Sequence, residues 1–240
     1  MPAKKAYRKK RNYKKKSKTM SKKLAKLSQL VYKTIEPKQL TTAFNVTIGS
    51  QSWTAISLTD FTFNNLPGQG VTNQQRIGNS VMLTGISLKM NFQQLSNFYN
   101  IRVLIVQFPQ KVGVANPSDP ARFLTFGTPQ GTPANRSITT MSPYAVGANT
   151  KFTILHDSIV SASDLGVDTP NQNYAIQHKK NIYVKPKSNV LEFPLTSAGA
   201  VSPFPNKNQI NLYMINDYPD LAGGYNSPVN GIFRIKFRDA

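Results

Sequence analysis

Between Arg76 and Phe92 the chain reads Arg-Ile-Gly-Asn-Ser-Val-Met-Leu-Thr-Gly-Ile-Ser-Leu-Lys-Met-Asn-Phe, a stretch that only a strand can sort into two faces. At period two, Met82, Thr84, Ile86, Leu88, Met90 and Phe92 fall on one side, and Ser87, Lys89 and Asn91 on the other. A helix would scatter both sets. Gly78 and Asn79 supply the turn that feeds the strand, since both tolerate positive φ. Further on, Ile101-Arg-Val-Leu-Ile-Val-Gln-Phe108 is almost continuously apolar, the pattern of a strand covered on both faces. Two strands of this length need a sheet, and the sheet needs a partner sheet.

The rest of the chain after Gln39 alternates strands and turns. Leu40–Ile48, Trp53–Phe63, Ser80–Gln93, Asn100–Phe108, Lys151–Val160, Lys180–Lys187, Val190–Leu195, Gln209–Asn216 and Gly231–Arg238 all read as strands. No interval carries a convincing amphipathic helix, so a parallel α/β sheet does not fit. The expectation is an all-β chain: one eight-stranded jelly roll over residues 39–240, an antiparallel two-sheet sandwich with long loops. The span 109–149 carries six prolines, and connections this long are unusual in a compact monomer. They are expected to pack on other copies of the chain. A short helix is predicted within 118–126, with Ser118 as cap and Pro120 in its first turn.

Four motifs stand in this order: Arg76-Ile-Gly-Asn79 leading into its strand, Arg102-Val-Leu-Ile-Val106, Phe152-Thr-Ile-Leu-His-Asp157, and the closing Phe233-Arg-Ile-Lys-Phe-Arg238. Together with a basic N-terminal arm, this layout resembles the capsid proteins of circovirus-like, circular Rep-encoding single-stranded DNA viruses. The resemblance implies a shell of 60 copies around a circular single-stranded DNA genome. It also implies residence in the virion and, during assembly, in the host nucleus. The chain departs from the family in an arm richer in lysine than arginine, which weakens the case for bidentate phosphate grips but not for electrostatic condensation.

Charge sets the organisation outside the sandwich. The chain of 240 residues carries a net +20, and residues 1–38 hold 15 Lys or Arg against Glu36 alone, leaving only +6 for the remaining 202 residues. A fold gains nothing from concentrated like charge, so the split reads as a polyanion-binding arm on an ordinary folded domain. In residues 1–19, Lys4, Lys5, Arg8, Lys9, Lys10, Arg11, Lys14, Lys15, Lys16 and Lys18 leave too little apolar surface to offset the entropy of ordering. Counterion release would drive these side chains, with Lys22 and Lys23, onto phosphates. Tyr7 and Tyr13 are placed to stack on unpaired bases. The bland readings are a solvated charge run and a nuclear import signal; import and genome binding can share one arm, with the host import machinery as a second partner. Residues 21–33 are predicted to form an amphipathic helix capped by Ser21, with Leu24, Leu27 and Val31 on one stripe.

The sequence carries no recognisable catalytic constellation. The chain has no cysteine, hence neither disulfides nor thiolate metal sites, which favours an intracellular life. The start of the chain lacks the apolar core of a signal peptide, and no run approaches the roughly 18 apolar residues of a membrane span. His156 and His178 are the only histidines, and the acids after residue 38 are scattered without ligand spacing. His156 sits beside Asp157 in a strand pattern, where neighbours point to opposite faces, so the pair is a poor dyad. A core or interface histidine is the better reading. Gly68-Gln-Gly70 lacks the lysine of a phosphate loop and reads as a turn. No enzymatic activity, cofactor or metal is expected.

Arg234, Lys236 and Arg238 alternate with Phe233, Ile235 and Phe237, giving a strand with one apolar and one basic face. These cations are candidates to extend the arm's nucleic-acid surface, with Lys179, Lys180, Lys185 and Lys187 as a second group; a solvated strand face is the commoner explanation of such a pattern. The function expected is a self-assembling icosahedral capsid protein that packages single-stranded DNA. The same plan would serve a small positive-strand RNA or satellite virus, and a cellular basic nucleic-acid-binding protein is a third reading.

Overall fold

The computed structural model describes residues 20–27, 37–49, 52–59, 80–93, 99–109, 120, 123–125, 138–145, 152–162, 177–187, 189–193, 205–216 and 227–239. The chain divides into two compact units, Met1–Pro37 and Lys38–Ala240. In the first, residues 20–27 form a helix with every residue exposed. The predicted extension of that helix to residue 33 lies outside the described residues, as do the Arg76–Asn79 turn and the Gly68–Gly70 turn.

The second unit is all-β. Its strands are β1 (Lys38–Ile48), β2 (Trp53–Ser57), β3 (Ser80–Gln93), β4 (Tyr99–Phe108), β5 (Thr153–Ala162), β6 (Gln177–Val184), β7 (Val190–Glu192), β8 (Gln209–Asn216) and β9 (Ser227–Asp239). They form two antiparallel sheets, β1-β9-β3-β6 with β7 also on β3, and β2-β8-β4-β5. The pairs β1–β9, β2–β8, β3–β6 and β4–β5 are nested about the middle of the chain. That nesting, with successive strands mostly in opposite sheets, is the roll of a two-sheet jelly roll.

The ninth strand corrects the expected eight without changing the plan. Ile86 faces Val184 and Met82 faces Val190, so four steps along β3 are matched by six along its partner. β6 and β7 are therefore one edge strand interrupted by an excursion at 185–189, which the Leu83 amide ties down by donating to the Asn189 carbonyl at 2.6 Å. β2 is also shorter than the sequence suggests, ending at Ser57.

β3 carries a second correction. Its register against β9 shifts between Leu83 and Gly85, leaving Thr84 as the extra residue of a bulge. A single inserted residue inverts the alternation. Val81 and Leu83 face the core on one side of the bulge, Ile86, Leu88, Met90 and Phe92 on the other. Met82 and Thr84, expected on the core face, lie partly exposed instead.

Between the sheets, these residues meet Leu40, Phe44 and Ile48 of β1, Phe233, Ile235 and Phe237 of β9, and Ile101, Val103 and Ile105 of β4. Alternation does this directly, since each of those strands places an apolar side chain inward at every second or fourth position. β4 from Ile101 to Phe108, and β8 throughout, are buried on both faces, as the run from Ile101 to Phe108 predicts. Their outward side chains Leu104, Val106, Phe108, Tyr213 and Ile215 form a second apolar cluster with Phe123, Leu124 and Ile138. Phe123 sits edge-on to Tyr213 at 4.9 Å and lies 6.0 Å from Phe108. The described parts of 109–149 thus cover their own sheet. A doubly apolar strand needs such a lid, while Met141 of the same segment stays exposed on the outer side. Most of the helix predicted within 118–126 lies outside the described residues; of those described, the Phe123 and Leu124 amides both donate to the Pro120 carbonyl.

Candidate nucleic-acid interface

Among the described residues, the solvent face of the five-stranded sheet carries a group of four exposed cations. On β9, Phe233, Ile235 and Phe237 are drawn into the core, so Arg234 and Lys236 must point out, and both are exposed. Registry then decides their neighbours. Lys236 lies between Gln39 and Gly85, Arg234 between Thr41 and Ser87, and Ile232 between Ala43 and Lys89. Continuing across β3, Ser87 faces Tyr183, Lys89 faces Asn181 and Asn91 faces Lys179. Lys89, Lys179, Arg234 and Lys236 therefore share one surface, with Tyr183 and Ile232 exposed among them.

Carboxylates are nearly excluded from it. Among the described residues of this face, Glu192 at the β7 end is the one acid, and it is held by Lys207 at 2.8 Å. Asp239 turns to the inner rim, where it pairs with the buried Lys38 at 2.7 Å. Arg234 Nε donates to Thr41 Oγ1 at 3.3 Å, which steadies the stem and leaves the rest of the guanidinium fork toward solvent. A surface of this kind can neutralise phosphates along a strand without reading sequence.

Arg238, opposite Met82, is half-buried, so the basic stripe of β9 narrows to Arg234 and Lys236 at full exposure. Lys179 joins the face, but Lys180, opposite the buried Met90, falls on the inner side. Lys185 and Lys187 are exposed in the excursion between β6 and β7, where the Lys187 amide donates to Gln107 Oε1 at 3.1 Å. Lys22 and Lys23 lie exposed on the 20–27 helix. Lys4, Lys5, Tyr7, Arg8, Lys9, Lys10, Arg11, Tyr13, Lys14, Lys15, Lys16 and Lys18 lie outside the described residues. Lys89 and Tyr183 are the residues that sequence reasoning missed as site members. The period-two pattern puts Lys89 on the outer face, but nothing in it reveals that β3 runs between β9 and β6.

A second polar cluster sits on the other sheet. Arg102, almost buried in the middle of β4, meets Asp157 of β5 through Nε at 3.0 Å and Nη2 at 2.7 Å. Its Nη1 donates to the carbonyls of Thr140 and Ser142, and its guanidinium lies 5.3 Å from the Tyr144 ring centre. The Tyr144 hydroxyl donates to Asp157. Burial alone would push the Asp157 carboxyl up, but the hydrogen bonds from Arg102 and Tyr144 and the charge of Arg102 outweigh it and hold the group below its ordinary value. Burial and the bond to Asp157 push Tyr144 up to about 12. All these shifts favour the paired state, so the cluster is a clamp that fastens 138–145 over the sheet.

The histidines take the inner side of two edge strands, β5 and β6. His156 Nε2 lies 2.9 Å from Ser158 Oγ, and burial, then the charge of Lys180, hold the imidazole below its ordinary value. His178 lies opposite Phe92. Among the described residues, no three His, Asp or Glu side chains are grouped to hold a metal ion, and no helix is long and apolar enough to cross a membrane.

No protein-family model and no curated protein sequence matches the chain. Among solved structures, it is similar to the 60-mer BFDV capsid protein at 10% identity, covering 85% of this chain and 94% of that one with a TM-score of 0.35. It is also similar to a structure of infectious bursal disease virus, Gx strain, at 10% identity, covering 85% of this chain but 38% of that one, with a TM-score of 0.22. VP1 of Trichodysplasia spinulosa-associated polyomavirus in complex with 3'-sialyllactose follows at 12% identity, 84% and 76% coverage and a TM-score of 0.13. The jelly roll is carried by the strand order itself.

Proposed function

We propose that the chain is the capsid protein of a small virus. In this reading the jelly-roll body tiles with its own copies into an icosahedral shell, and the lysine-rich residues 1–38 condense a single-stranded genome. The observation that carries it is the division of charge: +14 of the net +20 lies in residues 1–38, ahead of a β-sandwich in which Lys89, Lys179, Arg234 and Lys236 share one exposed sheet face. Exposed Ile159, in register with Arg102 on β5, and exposed Met141, between the two carbonyls that Arg102 holds, offer apolar contact to another copy. The clamp keeps that patch in one shape.

The motif resemblance implies 60 copies and a circular single-stranded DNA genome. Sixty arms would carry roughly 840 positive charges, matching a genome on the order of one thousand nucleotides at one charge per phosphate. Particles would accumulate as virions, with assembly in the host nucleus if the arm also serves as an import signal.

The test is expression of the full chain and of a chain lacking residues 1–37, followed by electron microscopy and nuclease-protected nucleic acid content. Uniform particles whose protected nucleic acid falls severalfold without the arm are expected. A full chain that stays monomeric by light scattering would refute the shell, and equal nucleic acid content in both would refute the role of the arm. Digestion of the packaged strand with DNase and RNase separates a DNA genome from an RNA one.

A further inference from the structure

The basic face carries two exposed side chains that charge alone does not explain, Ile232 and Tyr183, and the aromatic one is the larger. Tyr183 is 64% exposed on the edge strand β6, beside side chains far more soluble than itself. Its ring nevertheless rests on the sheet. A Cβ on Gly85 would come within 2.8 Å of Tyr183 Cζ and 2.9 Å of Cε2, so the phenol end of the ring lies against the bare backbone of β3. Gly85 leaves a seat that any other residue would fill. The aromatic is thus held before a ligand arrives, and little ordering entropy remains to be lost on binding.

We infer that Tyr183 is a stacking platform for an unpaired nucleobase, with the flanking cations holding the phosphates on either side. The inference rests on reading this face as a nucleic-acid surface and adds that it selects single strands. Arg234 lies in the same row, two strands away across Ser87; Lys236 lies opposite Gly85, and Lys89 is one row further along β3. An exposed aromatic ringed by cations and amides suits a ligand that offers flat π surfaces and negative charge together. A single strand supplies both, whereas a duplex keeps its bases stacked on one another. A second copy of the same face would bring like charges together, and its binding there is disfavoured.

The probes are a fluorescently labelled oligothymidylate and an oligomer of equal length with abasic sites throughout, titrated against the full chain. A 5-iodouracil oligomer is photocrosslinked in parallel to locate the contact. Tyr183→Ser is expected to weaken oligothymidylate binding about tenfold and to abolish the crosslink at the peptide containing residue 183, with abasic binding unchanged. Tyr183→Phe should behave as the parent chain, because it keeps the ring. Equal weakening of both oligomers by Tyr183→Ser, or no crosslink at this peptide in the parent chain, would overturn the stacking role. The underlying reading fails separately: if Arg234→Ser with Lys236→Ser leaves both oligomers bound as before, the face does not bind nucleic acid. Loss of particles without change in oligomer affinity in Tyr183→Ser would make the face a contact between copies and also overturn the proposal.

Discussion

Arg102 shows how a single charged side chain in the middle of an apolar strand is made tolerable. It is buried, and its guanidinium is met by two carboxylate oxygens and two carbonyls. Asp157→Asn would keep the shape but remove the countercharge, leaving a buried cation with neutral acceptors. The expected cost is about 2 kcal/mol, read as a lower urea midpoint with unchanged slope. The pH dependence has a definite sign. A carboxyl held below its ordinary value of 3.8 contributes stability that is present above that pH and lost as the pH falls through the folded value, so the parent chain should weaken on acidification in that window more than Asp157→Asn does. Gly231 poses the opposite problem, a residue that must stay small. A Cβ there would meet the Phe44 ring, which packs 6.2 Å from Phe233. Gly231→Ala is expected to destabilise by about 1–3 kcal/mol through overpacking, measurable by thermal denaturation.

At the scale of elements, period-two alternation made most strands legible: β1, β3, β4, β8 and β9 stand close to where their apolar patterns put them. What alternation cannot show is an interruption in its own count. The bulge at Thr84 leaves the local pattern of β3 readable on each side and silently changes its phase, because Met82 and Thr84 look as compatible with a core face as Val81 and Leu83 do. The excursion between β6 and β7 is hidden for the same reason. The cover of the second sheet was illegible in another way: Phe123, Leu124 and Ile138 are apolar residues among turn formers, and only the three-dimensional path puts them over Phe108 and Tyr213. Because Phe123 is fully buried there, Phe123→Ala should cost about 3–5 kcal/mol. The loss should also raise hydrogen exchange first at amides of 138–145 and only later in β3 and β9, since the cluster beneath Phe123 is separate from the core between the sheets. Exchange rising uniformly across both sheets would show that the lid is not a separate layer.

Across the whole molecule, if the chain binds one polyanion as proposed, an arm with most of the charge and a body with little of it would divide the grip. Sequence displays the arm plainly, since clustered lysines need no fold to be seen. It conceals the body's share, because Lys89, Lys179, Arg234 and Lys236 come from three strands far apart in the chain and meet only through the registers of β9 and β6 on β3. Salt separates the two contributions. Each cation that contacts a single strand adds about 0.7 to the slope of log affinity against log salt. If the face takes part alongside the arm, replacing Arg234 and Lys236 together by serine should lower that slope by about 1.4 while leaving most of the arm's larger share. The readout is oligothymidylate affinity measured over a range of salt concentrations. An unchanged slope would mean that the arm alone holds the strand and that the exposed cations of the sheet serve solubility.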